Sequence, residues 1–415
     1  MKLTQVEKPG ANRLIAAVLI AILLIVVSVW PAAAEEQRDL REGITGEYPT
    51  ETMWGVLPRF KMNPDTGAGT GIKLKGANVF GTSLLIDVAN IFTTNQYHVY
   101  ELLLAIPRIG SGKSYWYAMA FIEFDLIPDM RMFGVGNDTS NYMFDEEDAK
   151  VGDEATVEYM NVAPRLTFGR SFGEKYFIAF QAFYREVWLD RGDNDNLPQL
   201  EDKDYYPDLP GGTKGGQTPG LALAFIRSTR NDQYRPTKGS RIEAYIENVG
   251  PFFGADYQYS RFMGDARKYF LLFGKYNVLA LHARAETLEG CYEDIPWWEL
   301  PYLGGRDSMR GYWEGRFRGR GSLLTNAEFR YHIYHLKKKL WKIKLDFLID
   351  GNLFFDAGRV FRYSDDWHDT PFENWKYTGG FGVRFTTPPN LMGRADIGFS
   401  REQEFATYFN FGTVF

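Results

Sequence analysis

A transmembrane antiparallel β-barrel of about sixteen strands, all-β throughout, is the fold this sequence predicts. Composition is the first reason. Among 415 residues there are 32 Phe, 25 Tyr and 10 Trp, an aromatic share of 16%, alongside 42 Gly. Transmembrane barrels share this profile, because half of each strand faces water while aromatic residues ring both interfaces. The second reason is a period-two alternation of apolar and polar residues from Met53 onward. The third is that the long connections between these segments fall at alternate positions.

The N-terminus stands apart. Lys2, Lys8 and Arg13 precede an apolar run over 14–30, interrupted by Ser28, and Pro31-Ala32-Ala33-Ala34 then leads into Glu35 and Glu36. That order predicts a secretory signal peptide over 1–34, cleaved near Ala34, and hence export to the bacterial outer membrane. An uncleaved anchor is the alternative, since the run approaches the roughly 20 residues that span a bilayer. The small-residue ending followed by acids favours cleavage. Residues 35–52 read as a short periplasmic leader, and 53–415 as the barrel.

Strands are expected at 53–62, 69–79, 82–93, 96–107, 114–126, 155–170, 175–188, 217–229, 240–250, 254–273 and 275–288. Beyond a long loop come 322–334, 343–361, 375–387, 391–400 and 404–415. The alternation is plain in three of them. Phe405, Thr407, Phe409, Phe411, Thr413 and Phe415 share one face, opposite Ala406, Asn410 and Gly412. Leu323, Ala327, Phe329 and Tyr331 oppose Asn326, Glu328 and Arg330, and Leu279, Leu281, Ala283 and Ala285 oppose His282, Arg284 and Glu286. A period of two with one apolar face marks a half-buried strand, and here the apolar face should meet lipid.

The long connections, 127–154, 189–216, 289–321 and 362–374, are all odd-numbered, whereas most even-numbered ones are turns such as Phe80-Gly81 and Gly274-Lys275. With the N-terminus in the periplasm, long loops lie outside and short turns inside, the rule of outer-membrane barrels. Two even-numbered connections, 228–239 and 335–342, are longer than the rule prefers.

Several function classes drop out. A net charge of −6, from 47 basic and 53 acidic residues, leaves no nucleic-acid footprint. Five His without ligand spacing suggest no metal, and no cofactor motif is present. The single Cys291 excludes an internal disulfide and reads as an incidental thiol. The acidic stretches 145–148 and 190–208 could bind calcium or bridge divalent ions among lipopolysaccharide phosphates. They fit no EF-hand spacing, and solvated loops account for them more simply. Ser308 beside Asp307 has no nearby His, and His282, His332 and His335 suggest no triad, so no enzyme is expected.

The most informative motif is Gly304-Gly305-Arg306-Asp307-Ser308-Met309-Arg310-Gly311-Tyr312, followed by Asn326-Ala327-Glu328-Phe329-Arg330-Tyr331. It resembles the Arg-Gly-Phe/Tyr motif in the sixth external loop of the BamA/TamA-type insertase superfamily, whose bacterial-surface-antigen barrels include two-partner secretion transporters. The strand count independently puts it in the eleventh connection, which is that sixth external loop. Phe354-Phe355-Asp356-Ala357-Gly358 resembles the family's Phe-Asp-x-Gly strand, and Gly379-Gly380-Phe381-Gly382 the strand after it. Asn410-Phe411-Gly412-Thr413-Val414-Phe415 resembles its terminal assembly signal, carried by Phe411, Gly412 and Phe415. Phe133-Gly134-Val135-Gly136-Asn137 and Pro236-Thr237-Lys238-Gly239 are weaker hallmarks.

The resemblance implies that the loop folds into the lumen and that Arg310, with Gly311 and Tyr312, locks it there by pairing with Glu328 and Asp356. Strand parity independently points both acids inward. A guanidinium can fork across two carboxylates. The resemblance also implies insertion or translocation of proteins or lipids at the outer membrane. Expected partners are outer-membrane lipids and lipopolysaccharide, the barrel-assembly machinery during biogenesis, and unfolded protein or lipid clients. In one respect the chain departs from familiar members: residues 35–50 are too few for a polypeptide-transport-associated (POTRA) domain, which suggests a barrel-only branch. A passive narrow pore or structural barrel that kept the fold without the activity is the alternative.

Overall fold

The alternation closes into a cylinder in a computed structural model, which describes residues 51–411 except 65, 111, 138–154, 192–199, 201–208, 233–234, 341–342, 363–373, 388–390 and 403–404. Residues 1–50, which cover the expected signal peptide and most of the expected leader, and residues 412–415 lie outside the described residues. The first five barrel strands are β1 (Met53–Asn63), β2 (Gly67–Val79), β3 (Leu84–Thr93), β4 (His98–Ile109) and β5 (Trp116–Met132). Three interrupted strands follow. They are β6 (Ala155–Val162, continued by Arg165–Phe172), β7 (Tyr176–Phe183, continued by Glu186–Arg191) and β8 (Gly215–Gln217, continued by Gly220–Ser228). Then come β9 (Gly239–Val249), β10 (Tyr259–Phe273), β11 (Asn277–Glu289), β12 (Gly321–Leu340) and β13 (Ile343–Phe361). The last are β14 (Lys376–Thr387), β15 (Leu391–Phe399) and β16 (Ala406–Phe411). Each strand pairs antiparallel with its sequence neighbours, and β1 meets β16, so the fold is a closed 16-strand barrel.

The interruptions in β6, β7 and β8 lie side by side. Pro164 and Pro219 lack the N–H a ladder needs, so two strands break there. The remaining donors still bridge the gap: Tyr184 N–H donates to the Pro164 carbonyl at 3.0 Å, and Thr218 N–H to the Arg185 carbonyl at 2.8 Å.

Side chains sort as a lipid-facing cylinder requires. Leu353 and Phe355 on β13 are exposed, while Phe354 and Asp356 between them are buried. Trp54, Ile72, Phe168, Leu223 and Phe381 extend the exposed apolar face around the barrel. The opposite face buries polar groups such as Asp265, His282, Asn326 and Arg394. Buried charge is tolerated only when paired, so this inner wall is a network of ion pairs.

Four sequence readings shift at their ends. The strand expected to stop at 126 runs to Met132, taking the start of the connection expected at 127–154. The strand expected from 254 begins at Tyr259, because Pro251–Phe253 forms a short 3₁₀ turn. The connection expected at 335–342 shrinks, because β12 runs to Leu340 and β13 restarts at Ile343. A register shift between His332 and Tyr334 breaks the alternation there, which hid the strand. The last strand, expected over 404–415, is described from Ala406 to Phe411.

Candidate functional site: the long loop against the inner wall

The loop between β11 and β12 carries the candidate motif, and its backbone is shaped for close approach. Gly311 has φ 117°, and a Cβ there would meet Phe399 and Gly398 backbone atoms at 3.1–3.2 Å. Gly398 on β15 is its counterpart, since a Cβ at that position would sit 2.4 Å from the Arg310 carbonyl oxygen. Two missing side chains thus let one backbone lie directly on the other.

That contact delivers Arg310 to the inner wall. Its side chain and those of Glu328 and Asp356 are wholly buried, at 0% exposure. Arg310 Nε and NH2 donate to the two Asp356 oxygens at 3.0 and 2.8 Å, a bidentate fork, and its backbone N–H adds a third bond at 3.1 Å. NH1 donates to Glu328 Oε2 at 2.9 Å. The guanidinium also lies 3.5 Å from the centroid of the Phe354 ring. Glu328 is shared with Arg330, at 2.8 Å, and with Arg384. Asn326 Nδ2 donates both to Asp356 Oδ1, at 2.9 Å, and to the Ser308 carbonyl, at 2.8 Å.

Other loop residues are tied to the last two strands. Tyr408 Oη accepts the Gly311 N–H at 3.3 Å and donates to the Tyr312 carbonyl at 2.8 Å. Arg394 NH2 donates to Asp307 Oδ1 at 2.9 Å and to the Arg306 carbonyl at 3.1 Å. Tyr312 itself packs in an apolar cluster with Leu303, Met309, Phe317, Leu324 and Val360.

The first half of the loop makes a second attachment that sequence reasoning missed. Glu299 is nearly buried, and its carboxylate takes Arg185 from the break in β7 and Arg261 NH2, at 2.6 Å, from β10. Arg261 NH2 also donates to the Glu299 carbonyl at 2.9 Å, and its other donors reach Glu286 on β11 and Glu247 on β9. Burial alone pushes the Glu299 carboxyl up, but Arg185 and Arg261 overcome it and hold the group below the usual carboxylate range. Beside Glu299, Trp297, Trp298, Ile295 and Leu300 enter the largest apolar cluster, with Val187, Leu209, Val249 and Leu288. Trp297 N–H donates to the Gly211 carbonyl at 2.9 Å, joining this loop to the one before β8. The adjacent Trp297 and Trp298 were the only local signal, since a loop in water has little use for two indoles.

The structure therefore gathers Arg310, Gly311, Tyr312, Glu328 and Asp356 in one place, with Asn326, Arg330, Arg384, Arg394 and Tyr408 as unanticipated neighbours. The expected terminal signal lies elsewhere. Phe411 pairs in register with Gly393, and Gly412 and Phe415 are outside the described residues. The acidic stretch 145–148 and all of 190–208 except Asp190, Arg191 and Leu200 are outside them as well, and Cys291 is an exposed free thiol.

Comparison with known proteins accords with this architecture. Among curated proteins none matches the sequence. Solved structures do. BamA from Haemophilus ducreyi lacking POTRA domains 1–3 aligns at TM-score 0.61 and 12% identity, over 96% of this chain and 78% of that one. CdiB from Escherichia coli aligns at TM-score 0.57 and 12% identity, over 86% of this chain and 62% of that one. CdiB from Acinetobacter baumannii aligns at 0.51 and 13%, over 87% of this chain and 59% of that one. At such identities the likeness is one of fold, and the chain spans only about three-fifths of the CdiB chains. The Omp85 superfamily domain matches residues 78–415, most of the sequence and all of the loop network, and the chain belongs to that superfamily.

Proposed function

We propose that this protein assists the insertion or translocation of proteins or lipids at the outer membrane, working through the seam between β1 and β16. The observation that carries the reading is where the barrel closes. β1 registers with β2 from Met53↔Ala77 to Asn63↔Gly67 and meets β16 at Met62↔Phe409, so the seam joins the first and last strands. A barrel gains its stability from leaving no edge, and a seam that opens brings two strand edges within reach of an incoming strand. Meanwhile the long loop plugs the lumen, with Arg310 as its lock, which speaks against a passive open pore. Lipopolysaccharide and phospholipid would surround the barrel, and the barrel-assembly machinery would receive it after export.

The test is a seam crosslink. Met62→Cys and Phe409→Cys, in a Cys291→Ser background, place two thiols at a registered pair of that seam. Oxidation should abolish activity and reduction restore it, with activity read as the outer-membrane proteins and surface lipids that change when the protein is depleted. If depletion changes none of them, the passive-barrel reading replaces this one. If the crosslinked protein still rescues depletion, the seam is not the route.

A further inference from the structure

We propose that loop segment 306–314 braces the seam from inside the barrel, with Tyr408 as the tether of β16, so that β1 and β16 part only after the loop releases Tyr408. The inference rests on the reading that the seam opens, and it names what restrains the opening.

The seam pair Met62↔Phe409 sets the geometry. Met62 is exposed on the lipid side, so strand parity turns its neighbour Lys61 inward. Tyr408, the neighbour of Phe409, is buried at 1% exposure and faces inward as well. These two inward residues belong to the two strands that would separate. Both meet the same loop.

On β16 the contact is direct. Tyr408 Oη accepts the Gly311 N–H at 3.3 Å and donates to the Tyr312 carbonyl at 2.8 Å. One hydroxyl thus serves two consecutive residues of the loop backbone, and its loss would leave a buried N–H and a buried carbonyl to find other partners. The contact also specifies register. A slip of two residues is the shortest that keeps Tyr408 facing inward, and it would carry the hydroxyl roughly 7 Å along the strand.

The strands on either side of β16 meet the same segment. On β15, Gly398 admits the Arg310 carbonyl, and Arg394 NH2 donates to Asp307 Oδ1 at 2.9 Å and to the Arg306 carbonyl at 3.1 Å. On β1, Lys61 holds its Nζ 4.5 Å from the centroid of the Tyr97 ring and lies in the field of Glu314 and Asp307, with Asp125 adding to them and Arg306 opposing. Segment 306–314 therefore backs β15, β16 and β1, while Arg310 fixes it to Glu328 on β12 and Asp356 on β13. A backbone ladder can fray from its ends, but a hold on the inner face yields only when the loop or the register moves. Opening of the seam is thereby coupled to the state of the loop.

Amide hydrogen exchange of the whole folded protein in detergent, read by mass spectrometry, tests this without any activity assay, because exchange tracks the population in which the seam is open. Tyr408→Phe keeps the ring and removes only the hydroxyl. It should speed exchange in Met53–Asn63 and Ala406–Phe411 at least about fivefold and leave Gly239–Val249, across the barrel, at the wild-type rate. Asp307→Asn, an isosteric change at a half-exposed residue, should speed the same two strands by a smaller factor, because Arg394 keeps the Arg306 carbonyl. Unchanged exchange at the seam in Tyr408→Phe would overturn the tether. So would an equal rise in Gly239–Val249, since that is a general loosening, or a larger effect of Asp307→Asn, since Arg394 would then be the principal hold. Should Tyr408→Phe lose its heat-modifiable gel shift, Asp307→Asn decides alone, with an unchanged seam overturning the brace. A seam that loosens as expected, in a protein whose depletion alters no outer-membrane protein or lipid, upholds the brace and removes the insertase reading.

Discussion

Glu299 and Arg310 stand on the same loop and bond to different walls with opposite charge: Glu299 to Arg185 and Arg261 on β7 and β10, Arg310 to Glu328 and Asp356 on β12 and β13. The loop is thus held at two places whose polarities are reversed. Neither attachment can slide onto the other's site, because each would meet like charge there. This gives the loop one register in the barrel.

Removing Arg310 should loosen the barrel. Taking away one partner of a buried pair typically costs about 3–5 kcal/mol, and the zero exposure of all three groups favours that range over the ~1 kcal/mol of a solvated pair. Arg310→Ala should lower the temperature at which the heat-modifiable gel shift is lost, and raise conductance in planar bilayers. Arg310→Lys should recover part of each. If neither melting nor conductance moves, the arginine does not hold the loop.

Glu299 should give the loop an acid-sensitive hold. Its carboxyl is depressed in the folded state, so its contribution is present above the unfolded value of about 4.3 and is lost as pH falls through the lower folded one. Quenching of Trp297 and Trp298 fluorescence by iodide, followed from pH 6 downward, should therefore rise only below about pH 4. Glu299→Gln should raise quenching already at neutral pH and flatten the acid limb. An acid limb identical to wild type in that variant assigns the transition to another group.

Close approach of backbones can be tested without touching a charge. Gly398→Ala would put a Cβ against the Arg310 carbonyl, an overpacking cost of about 1–3 kcal/mol. Gly264→Ala on β10 meets nothing within 4 Å and serves as the control. Thermal loss of the gel shift should separate the two variants clearly, and equal melting would mean that the loop yields without cost.

Topology and export give a surface test. The mature chain should begin near Glu35, an epitope tag at Asp195 should be reached by antibody on intact cells, and one at Gly274, in the turn between β10 and β11, should not. Mass spectrometry that finds 1–34 retained, or surface exposure of the Gly274 tag, would reverse this orientation.

For biogenesis, deletion of Phe415 should lower the amount of inserted barrel much more than Phe372→Ala. Quantifying folded protein in membrane fractions decides it: equal insertion removes any special part for the terminal aromatic.

The fold was legible because a β-strand writes its faces into the chain every second residue. Leu353, Phe355 and Asp356 can be assigned to lipid or lumen from parity alone, and the spacing of turns counts the strands. The pairing of Arg310 with Glu328 and Asp356 was reached by parity together with a motif resemblance. Tertiary structure alone decided the rest. Arg185 meets Glu299 across 114 positions and Arg235 meets Asp350 across 115, and no local period connects such partners. Both arginines sit where alternation fails, at a strand break and in a turn, so only closure of the barrel brings them to their acids. The same closure removes water from the lumen wall, and that desolvation makes charges that look ordinary in sequence into the contacts that hold the loop in place.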